Sequence, residues 1–158
     1  MQDSFADVTL NRERCSMARA LNLLADRWLL LILREAFFGA KRFDAFQERL
    51  DISRSVLSRR LERLTETNLL RKRPYEEAGQ RTRHEYLLTE RGADLLPVLA
   101  ALMEWGDRHE RAPGGPPVRL VEADERDPVR LAFVRRDDGK EVNAADVRAE
   151  LRNSGEAA

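Results

Sequence analysis

The stretch ISRSVLSRRLERLTETNLLRKRPYEEAGQRTRHEYLLTE, from Ile52 to Glu90, decides the fold of this chain. It predicts a serine-capped, arginine-rich helix followed by two basic strands around a glycine-containing turn. Between Ser53 and His84, nine Lys and Arg residues stand against four acids, a local net charge of +5 on a chain whose total charge is zero. A basic surface on a neutral protein indicates nucleic acid, because phosphates respond to the field at the contact face.

The predicted helix from Arg54 to about Thr67 is amphipathic. Leu57, Leu61 and Leu64 recur at positions i, i+4 and i+7, so they form an apolar stripe that should attach the helix to a core. The opposite side carries small hydroxyls near the N-terminus and guanidinium groups further along. Small residues let a helix enter the major groove of DNA, where arginine reaches guanine edges or phosphates. The helix is therefore a candidate recognition helix.

Three helices are predicted ahead of it, from apolar residues at helical spacing. Asp26 is the expected N-cap of the second helix, which is apolar almost all round and should be the central core helix, and Gly39 should end it. A tight turn at residues 51–52 separates the third helix from Ser53, the expected N-cap of the fourth. The predicted ranges of the three helices are 16–25, 27–38 and 42–50. Helix, short turn and helix form a helix-turn-helix arrangement.

Two strands, Leu69–Glu76 and Thr82–Leu88, are predicted after the recognition helix, with a turn at residues 77–80. A hairpin in this place is the wing of a winged helix. Arg73, Arg81 and Arg83 flank its tip, which should lie along the DNA backbone or in the minor groove, where arginine is favoured. The predicted fold class is mainly α with a small β-hairpin wing, a winged helix-turn-helix.

A long helix from Glu90 to about Arg111 is predicted next, with Thr89 as its N-cap and a kink at Pro97. Its apolar surface is broader than one stripe and covers nearly two faces of the helix. The apolar side chains include Leu95, Leu96, Leu99, Leu102, Met103 and Trp105. This is more apolar surface than one small domain covers, which favours a homodimer interface. A wide buried core face is the alternative.

The sequence predicts four segments. Residues 1–14 form a polar arm that either frays or packs on a partner subunit, and residues 15–111 form the DNA-binding and dimerisation domain. The run APGGPP, residues 112–117, is a linker. Residues 118–158 form a C-terminal extension, in which apolar and polar residues alternate on both sides of residues 124–127 and suggest a hairpin. The end of the chain after Asn153 is expected to be disordered.

Several functional classes have little support in the sequence. A single cysteine, Cys15, excludes an internal disulfide and a cysteine-rich zinc site, and the two histidines have no metal-ligand spacing. No glycine-rich phosphate loop or nucleophile motif is present, so we expect neither an enzyme nor a cofactor. The longest apolar run, Trp28–Leu33, is too short to cross a bilayer, and the first residues do not resemble a signal peptide. We therefore expect a cytoplasmic protein that does not bind membranes.

Separated landmarks between residues 15 and 106 resemble, in order and spacing, the HxlR-type winged helix-turn-helix transcriptional regulators of bacteria. They are Cys15, Trp28 with the following run LLLILRE, KRF at 41–43, IS at 52–53, RLERL at 60–64, YLLTERG at 86–92, LLPVL at 95–99 and the pair WG at 105–106. Where that family has paired glycines before the tryptophan, this chain has Ala25-Asp26-Arg27. The resemblance implies homodimers that dimerise through the first and last helices and bind two half-sites of a pseudo-palindromic operator.

The resemblance also suggests a role for Cys15 and for the extension. In part of the family, the cysteine at the Cys15 position senses electrophiles or oxidants, and a helix N-terminus favours its thiolate form. A half-buried structural thiol is the alternative. Some family members carry a zinc-ribbon-like extension, but Glu125, Arg135 and Asp138 stand here in place of thiolates. We therefore predict no metal in this extension.

The leading hypothesis is a sequence-specific transcriptional regulator of the repressor type that binds double-stranded DNA as a homodimer. Arg60 lies nearest the leucine stripe, so an intramolecular salt bridge is its alternative role. The predicted DNA-contacting residues are Ser53, Arg54, Ser55, Ser58, Arg59, Arg60, Arg63, Arg71, Arg73, Arg81 and Arg83.

The second hypothesis is a winged-helix module that binds a ligand or a protein without reading DNA. Apolar residues of the second and last helices would then line a pocket for a small-molecule effector or the dimer interface, with core packing as the alternative. These residues are Trp28, Phe37, Phe38, Leu99, Leu102, Met103 and Trp105. A flat dependence of DNA affinity on salt would favour this hypothesis.

Overall fold

The computed structural model describes residues 14–76, 82–110 and 113–150. They belong to two compact units, one running from Ala20 to Gly115 and the other combining the chain up to Arg19 with the segment from Pro116 onward. Most of the predicted arm, the wing tip with Arg81 and the chain end after Asn153 lie outside the described residues. The helices and strands, in chain order, are α1 (Ser16–Leu24), α2 (Arg27–Phe37), α3 (Phe43–Leu50), α4 (Arg54–Glu66), β1 (Leu70–Tyr75), β2 (Arg83–Leu88), α5 (Glu90–Ala93), α6 (Leu96–His109), β3 (Phe133–Val134) and β4 (Glu141–Val142).

The core of the Ala20–Gly115 unit lies where α2, α3 and α4 meet the first hairpin. The predicted stripe of Leu57, Leu61 and Leu64 is fully buried in it, which confirms the orientation of α4. Phe46 of α3 is also fully buried, and its ring meets Tyr86 of β2 edge-on with the ring centroids 6.4 Å apart. Burial of these large side chains is the main stabilising contribution to the unit.

Local signals define the helix-turn-helix. Asp26 caps α2, because its Oδ1 accepts a hydrogen bond from the Trp28 backbone N–H at 2.9 Å. Asp51 ends α3 in the left-handed conformation, with φ of 46°, and turns the chain toward α4. Ser53 then caps α4 by accepting from the Val56 N–H at 3.4 Å. The predicted caps at Asp26 and Ser53 are confirmed, and the short turn leaves the outer side of α4 exposed.

The wing is an antiparallel hairpin in which Leu70 pairs with Leu88 at its base and Tyr75 pairs with Arg83 toward its tip. Its register confirms the predicted strands to within one residue. The backbone N–H of Tyr86 donates to the Lys41 carbonyl at 2.7 Å, so the second strand is attached to the residues that precede α3. This attachment holds the wing beside the helix-turn-helix.

The prediction of one long, kinked helix after Thr89 is wrong. The chain forms α5, then a turn at residues 94–95, then α6 with Pro97 in its first turn. Proline has no N–H to donate, and its ring would meet the carbonyl four residues earlier, at Ala93, if a single helix continued. In the first turn of a new helix neither problem arises. The break therefore replaces the predicted kink.

Gly92 of α5 lies against the start of the wing. A Cβ at this position would lie only 2.1 Å from the Leu69 carbonyl oxygen, so no larger residue fits without a shift of backbone. Beside it, the Thr89 hydroxyl donates to the Asn68 carbonyl at 2.7 Å and accepts from the Gly92 N–H at 3.0 Å. Thr89 thus caps α5, as predicted for the start of the helix, and joins it to the wing.

The second unit contains short, exposed β-structure. The hairpin suggested around residues 124–127 is present as a single bridge between Val121 and Pro128. Regular pairing occurs further along, between β3 and β4, where Phe133 opposes Val142. The turn between them includes Gly139, with φ of 69°. Across the part of the chain that the structure describes, no helix has the length and hydropathy needed to cross a membrane.

Candidate nucleic-acid interface

The outer side of α4 carries two arginines that no carboxylate neutralises. Arg59 and Arg63 are exposed, as are Ser55 and Ser58 on the same side of the helix. Among the described residues, neither arginine has an ion-pair partner. Because the leucine stripe opposite is buried, both guanidinium groups point away from the core. This is the arrangement that groove contact requires.

Arg60 has a different environment from its neighbours. Its Nε lies 2.6 Å from Asp26 Oδ2, and 27% of its side chain is exposed. The intramolecular salt bridge left open for this residue is therefore present. The Nε–H is not aligned as a hydrogen-bond donor to that oxygen, so the contact is best described as a close ion pair. It links α4 to the residue that caps α2.

The wing carries exposed cations on β1, at Arg71, Lys72 and Arg73. Arg73 is partly neutralised, because its Nη2 donates to Glu85 Oε2 on the opposite strand at 2.6 Å. Arg42 Nε lies 3.8 Å from the other oxygen of Glu85. The hydrogen bond from Arg73, followed by the nearby positive charges, lowers the pKa of Glu85 below its ordinary value. Arg73 is therefore less available to DNA than Arg71.

A cleft of about 290 Å³ lies between the start of α3, the start of α4 and the wing. The Arg54 guanidinium lies over the Phe43 ring, 4.9 Å from its centroid. Arg83 Nη1 lies 3.5 Å from Asp44 Oδ2. The lining residues are Phe43, Asp44, Arg54, Tyr75, Arg83, His84 and Tyr86. Arg54 and Arg83 were expected at the interface. Asp44 and the aromatic residues were missed, because no local pattern relates α3 to the wing.

Cys15 immediately precedes α1. Its Sγ accepts a weak hydrogen bond from the Ala18 backbone N–H at 3.5 Å, in the manner of an N-cap. The residue is half-buried. A thiolate would be a better acceptor for this N–H than a thiol, so the contact is compatible with a reactive cysteine and with a structural one. No group of three or more His, Cys, Asp or Glu side chains in the described ranges is placed to hold a metal ion.

The seven apolar candidates divide into a buried and an exposed group. Trp28 and Phe37 pack against the core, and Leu99 of α6 belongs to it. Met103 is half-buried. Phe38, Leu102 and Trp105 are exposed, Leu102 by 52% and Trp105 by 58%. Core packing therefore accounts for part of the set, while the exposed members leave an apolar surface.

Comparison with known proteins identifies the family. The model of the HxlR-like helix-turn-helix family matches residues 23–113, which contain the helix-turn-helix and the wing. The chain belongs to this family. An uncharacterised HTH-type transcriptional regulator of Mycobacterium tuberculosis, Rv3095, is 46% identical to it over 115 residues, or 73% of this chain and 72% of the relative. This HxlR-like protein is thus a helix-turn-helix transcriptional regulator.

Solved structures of regulators share the fold of the HxlR-like chain. The crystal structure of PA1607, titled a candidate transcription factor, has a TM-score of 0.74 and 37% identity, and covers 88% of this chain and 96% of its own. The reduced form of the transcriptional regulator YodB from Bacillus subtilis has a TM-score of 0.52 and 29% identity, and covers 61% of this chain and 95% of its own. These neighbours agree with the winged-helix assignment.

Proposed function

We propose that this HxlR-like regulator binds a pseudo-palindromic operator in a sequence-specific manner as a homodimer and represses transcription. The observation that carries the proposal is the outer side of α4, where Arg59 and Arg63 are exposed and unpaired among the described residues. Guanidinium groups at such positions form bidentate hydrogen bonds with guanine in the major groove. Ser55 and Ser58 are small enough to let the helix backbone approach the bases.

The remaining predicted contact residues have positioning roles. They contact phosphates or the minor groove, and so set the register of α4 on the duplex. These residues are Ser53, Arg54, Arg71, Arg81 and Arg83. We assign a lesser role to Arg73, because Glu85 offsets its charge. Arg60 supports α4 through Asp26 and contributes to DNA binding mainly by holding the helix in place.

The homodimer is supported by one exposed stripe on α6. Val98, Leu102 and Trp105 recur at i, i+4 and i+7 and are 46%, 52% and 58% exposed. Side chains at this spacing share one helix face. A second copy would bury the stripe by two-fold symmetry, and a symmetric dimer presents its two α4 helices to half-sites about 34 Å apart. Leu21 of α1, an apolar residue that is 46% exposed, supplies further surface for the partner.

We also propose that Cys15 senses electrophiles or oxidants. The position of its sulfur supports the idea, because the thiol lies at the start of α1, accepts from the Ala18 N–H and is only half-buried. The similar regulator YodB has been solved in its reduced form, which agrees with redox regulation in a related protein. The test is release of operator DNA by diamide or a quinone. Cys15→Ser should abolish this release, and equal release from wild type and variant would contradict the role.

The test of the proposed function is the salt dependence of DNA affinity. Wild-type protein should bind duplex DNA with log affinity falling linearly against log salt, by about 0.9 for each phosphate neutralised. A flat dependence would favour the alternative, a module that binds a ligand or protein through the exposed α6 stripe. Repression requires a second measurement, because DNA binding alone does not distinguish a repressor from an activator. Operator-linked reporter expression should rise when the gene for this regulator is deleted.

A further inference from the structure

The cleft between α3, α4 and the wing contains two guanidinium groups held in different ways. Arg54 is packed over the Phe43 ring, which restrains its side chain without neutralising its charge. Arg83 faces Asp44 across 3.5 Å, and 52% of Arg83 and 71% of Asp44 remain exposed. An ion pair so exposed is weak and exchanges its partner easily. The cleft therefore has one fixed cation and one cation whose carboxylate is replaceable.

The lining of the cleft favours an oxyanion over an apolar ligand. Most of its lining is polar, and His84 is among the lining residues. Ser53 and Ser55, the sequence neighbours of Arg54, are exposed at the start of α4. Arginine forks match the geometry of phosphate oxygens better than any other side chain. A phosphate between Arg54 and Arg83 would take the place that the Asp44 carboxylate now holds.

We propose that this cleft binds one backbone phosphodiester of the operator, and that Asp44 is the carboxylate which the phosphate displaces from Arg83. The inference rests on the proposed function. It adds a defined phosphate site in which the Asp44 carboxylate competes with the phosphate for Arg83. Asp44 then lowers affinity for DNA in general, because each binding event must break its pair with Arg83. Release of Asp44 also restores a free negative charge beside the phosphate.

The test is DNA affinity as a function of salt for wild type and Asp44→Asn. The variant should bind operator and unrelated duplex more tightly, by roughly twofold to fivefold, and its affinity should fall more steeply with salt. The matched control is Glu48→Gln, which removes one exposed negative charge from the same helix outside the cleft and should change affinity less. In an Arg83→Gln background, the Asp44→Asn change should have a smaller effect, because only the repulsion between Asp44 and the phosphate is then removed.

Two results would overturn the assignment. If Asp44→Asn and Glu48→Gln act alike, or if the Asp44 effect is undiminished without Arg83, the effect is one of general charge and the cleft is not a phosphate site. If inorganic phosphate binds wild type but not Arg54→Gln, and yet does not lower the affinity of wild type for DNA at the same ionic strength, the cleft binds a free anion instead of the backbone. Salt-dependent binding by wild type in either case leaves the proposed function intact. DNA binding that does not depend on salt would contradict both the phosphate site and the proposed function.

Discussion

Arg60 Nε lies 2.6 Å from Asp26 Oδ2, so the arginine next to the exposed Arg59 belongs to the support of α4. The two neighbours should respond differently to the same substitution. Arg60→Gln should reduce the free energy of unfolding by about 1–2 kcal/mol, as expected for a half-buried ion pair. Urea denaturation measures this change.

Arg59→Gln is the matched control for the Arg60 prediction. Arg59 is exposed and has no ion-pair partner among the described residues, so its replacement should leave stability within about 0.5 kcal/mol of wild type. Equal destabilisation by Arg59→Gln and Arg60→Gln would contradict the structural role assigned to Arg60.

The α6 stripe should govern the oligomeric state. Leu102→Glu places a charge in the centre of the stripe and should convert the proposed dimer to a monomer, with little loss of monomer stability because the side chain is 52% exposed. Sedimentation velocity measures the change. Leu96→Glu is the control, since Leu96 is 42% exposed and lies on the other side of α6. A dimer that survives Leu102→Glu would place the interface elsewhere.

Two glycines in helices should behave in opposite ways when replaced by alanine. At Gly92 the new methyl would meet the Leu69 carbonyl oxygen, so Gly92→Ala should destabilise by about 1–3 kcal/mol through forced backbone movement. At Gly106 of α6 nothing lies within 4 Å of the new methyl, so Gly106→Ala should stabilise by about 0.5–1 kcal/mol. Thermal unfolding of the two variants provides the comparison. A tolerated Gly92→Ala would mean that α5 does not contact the wing this closely.

Glu85 should make stability depend on acid pH. Because Arg73 lowers its pKa from the ordinary 4.5, the ionised carboxyl stabilises the folded state above that pH, and this contribution is lost as pH falls through the lowered pKa. The melting temperatures of wild type and Glu85→Gln should therefore differ at pH 7 and converge toward pH 3. In Arg73→Gln the pKa of Glu85 should rise, as measured by NMR titration. A constant difference across this range would show that the Arg73–Glu85 pair does not contribute.

The sequence was sufficient for features that depend on neighbouring residues. Apolar residues at helical spacing, with Asp26 and Ser53 as caps, located α2 and α4 to within one or two residues. Two basic segments on either side of a glycine-containing turn located the wing strands. Pro97 was ambiguous, because a proline can kink a helix or lie in the first turn of a new one, and the structure shows the second.

The sequence alone could not show which arginines of the candidate interface are paired with carboxylates and which are not. Arg60, Arg73 and Arg83 are chemically equivalent to Arg59 and Arg63 in any local pattern. Their partners Asp26, Glu85 and Asp44 lie on other elements and come close only in the folded chain. For Arg60 a signal existed, since its position beside the leucine stripe made a salt bridge expected. For Arg83 and Asp44 there was none.

The most direct test of the central claim, that α4 reads DNA sequence through Arg59 and Arg63, is selection of bound duplexes from a random pool. Wild type should enrich a site with two-fold symmetry, with half-sites about one helical turn apart. Arg59→Gln should lose discrimination at one base pair of each half-site, at a cost of about 1–3 kcal/mol, and leave the other positions unchanged. An identical enriched site from wild type and from the Arg59→Gln and Arg63→Gln variants would contradict the claim.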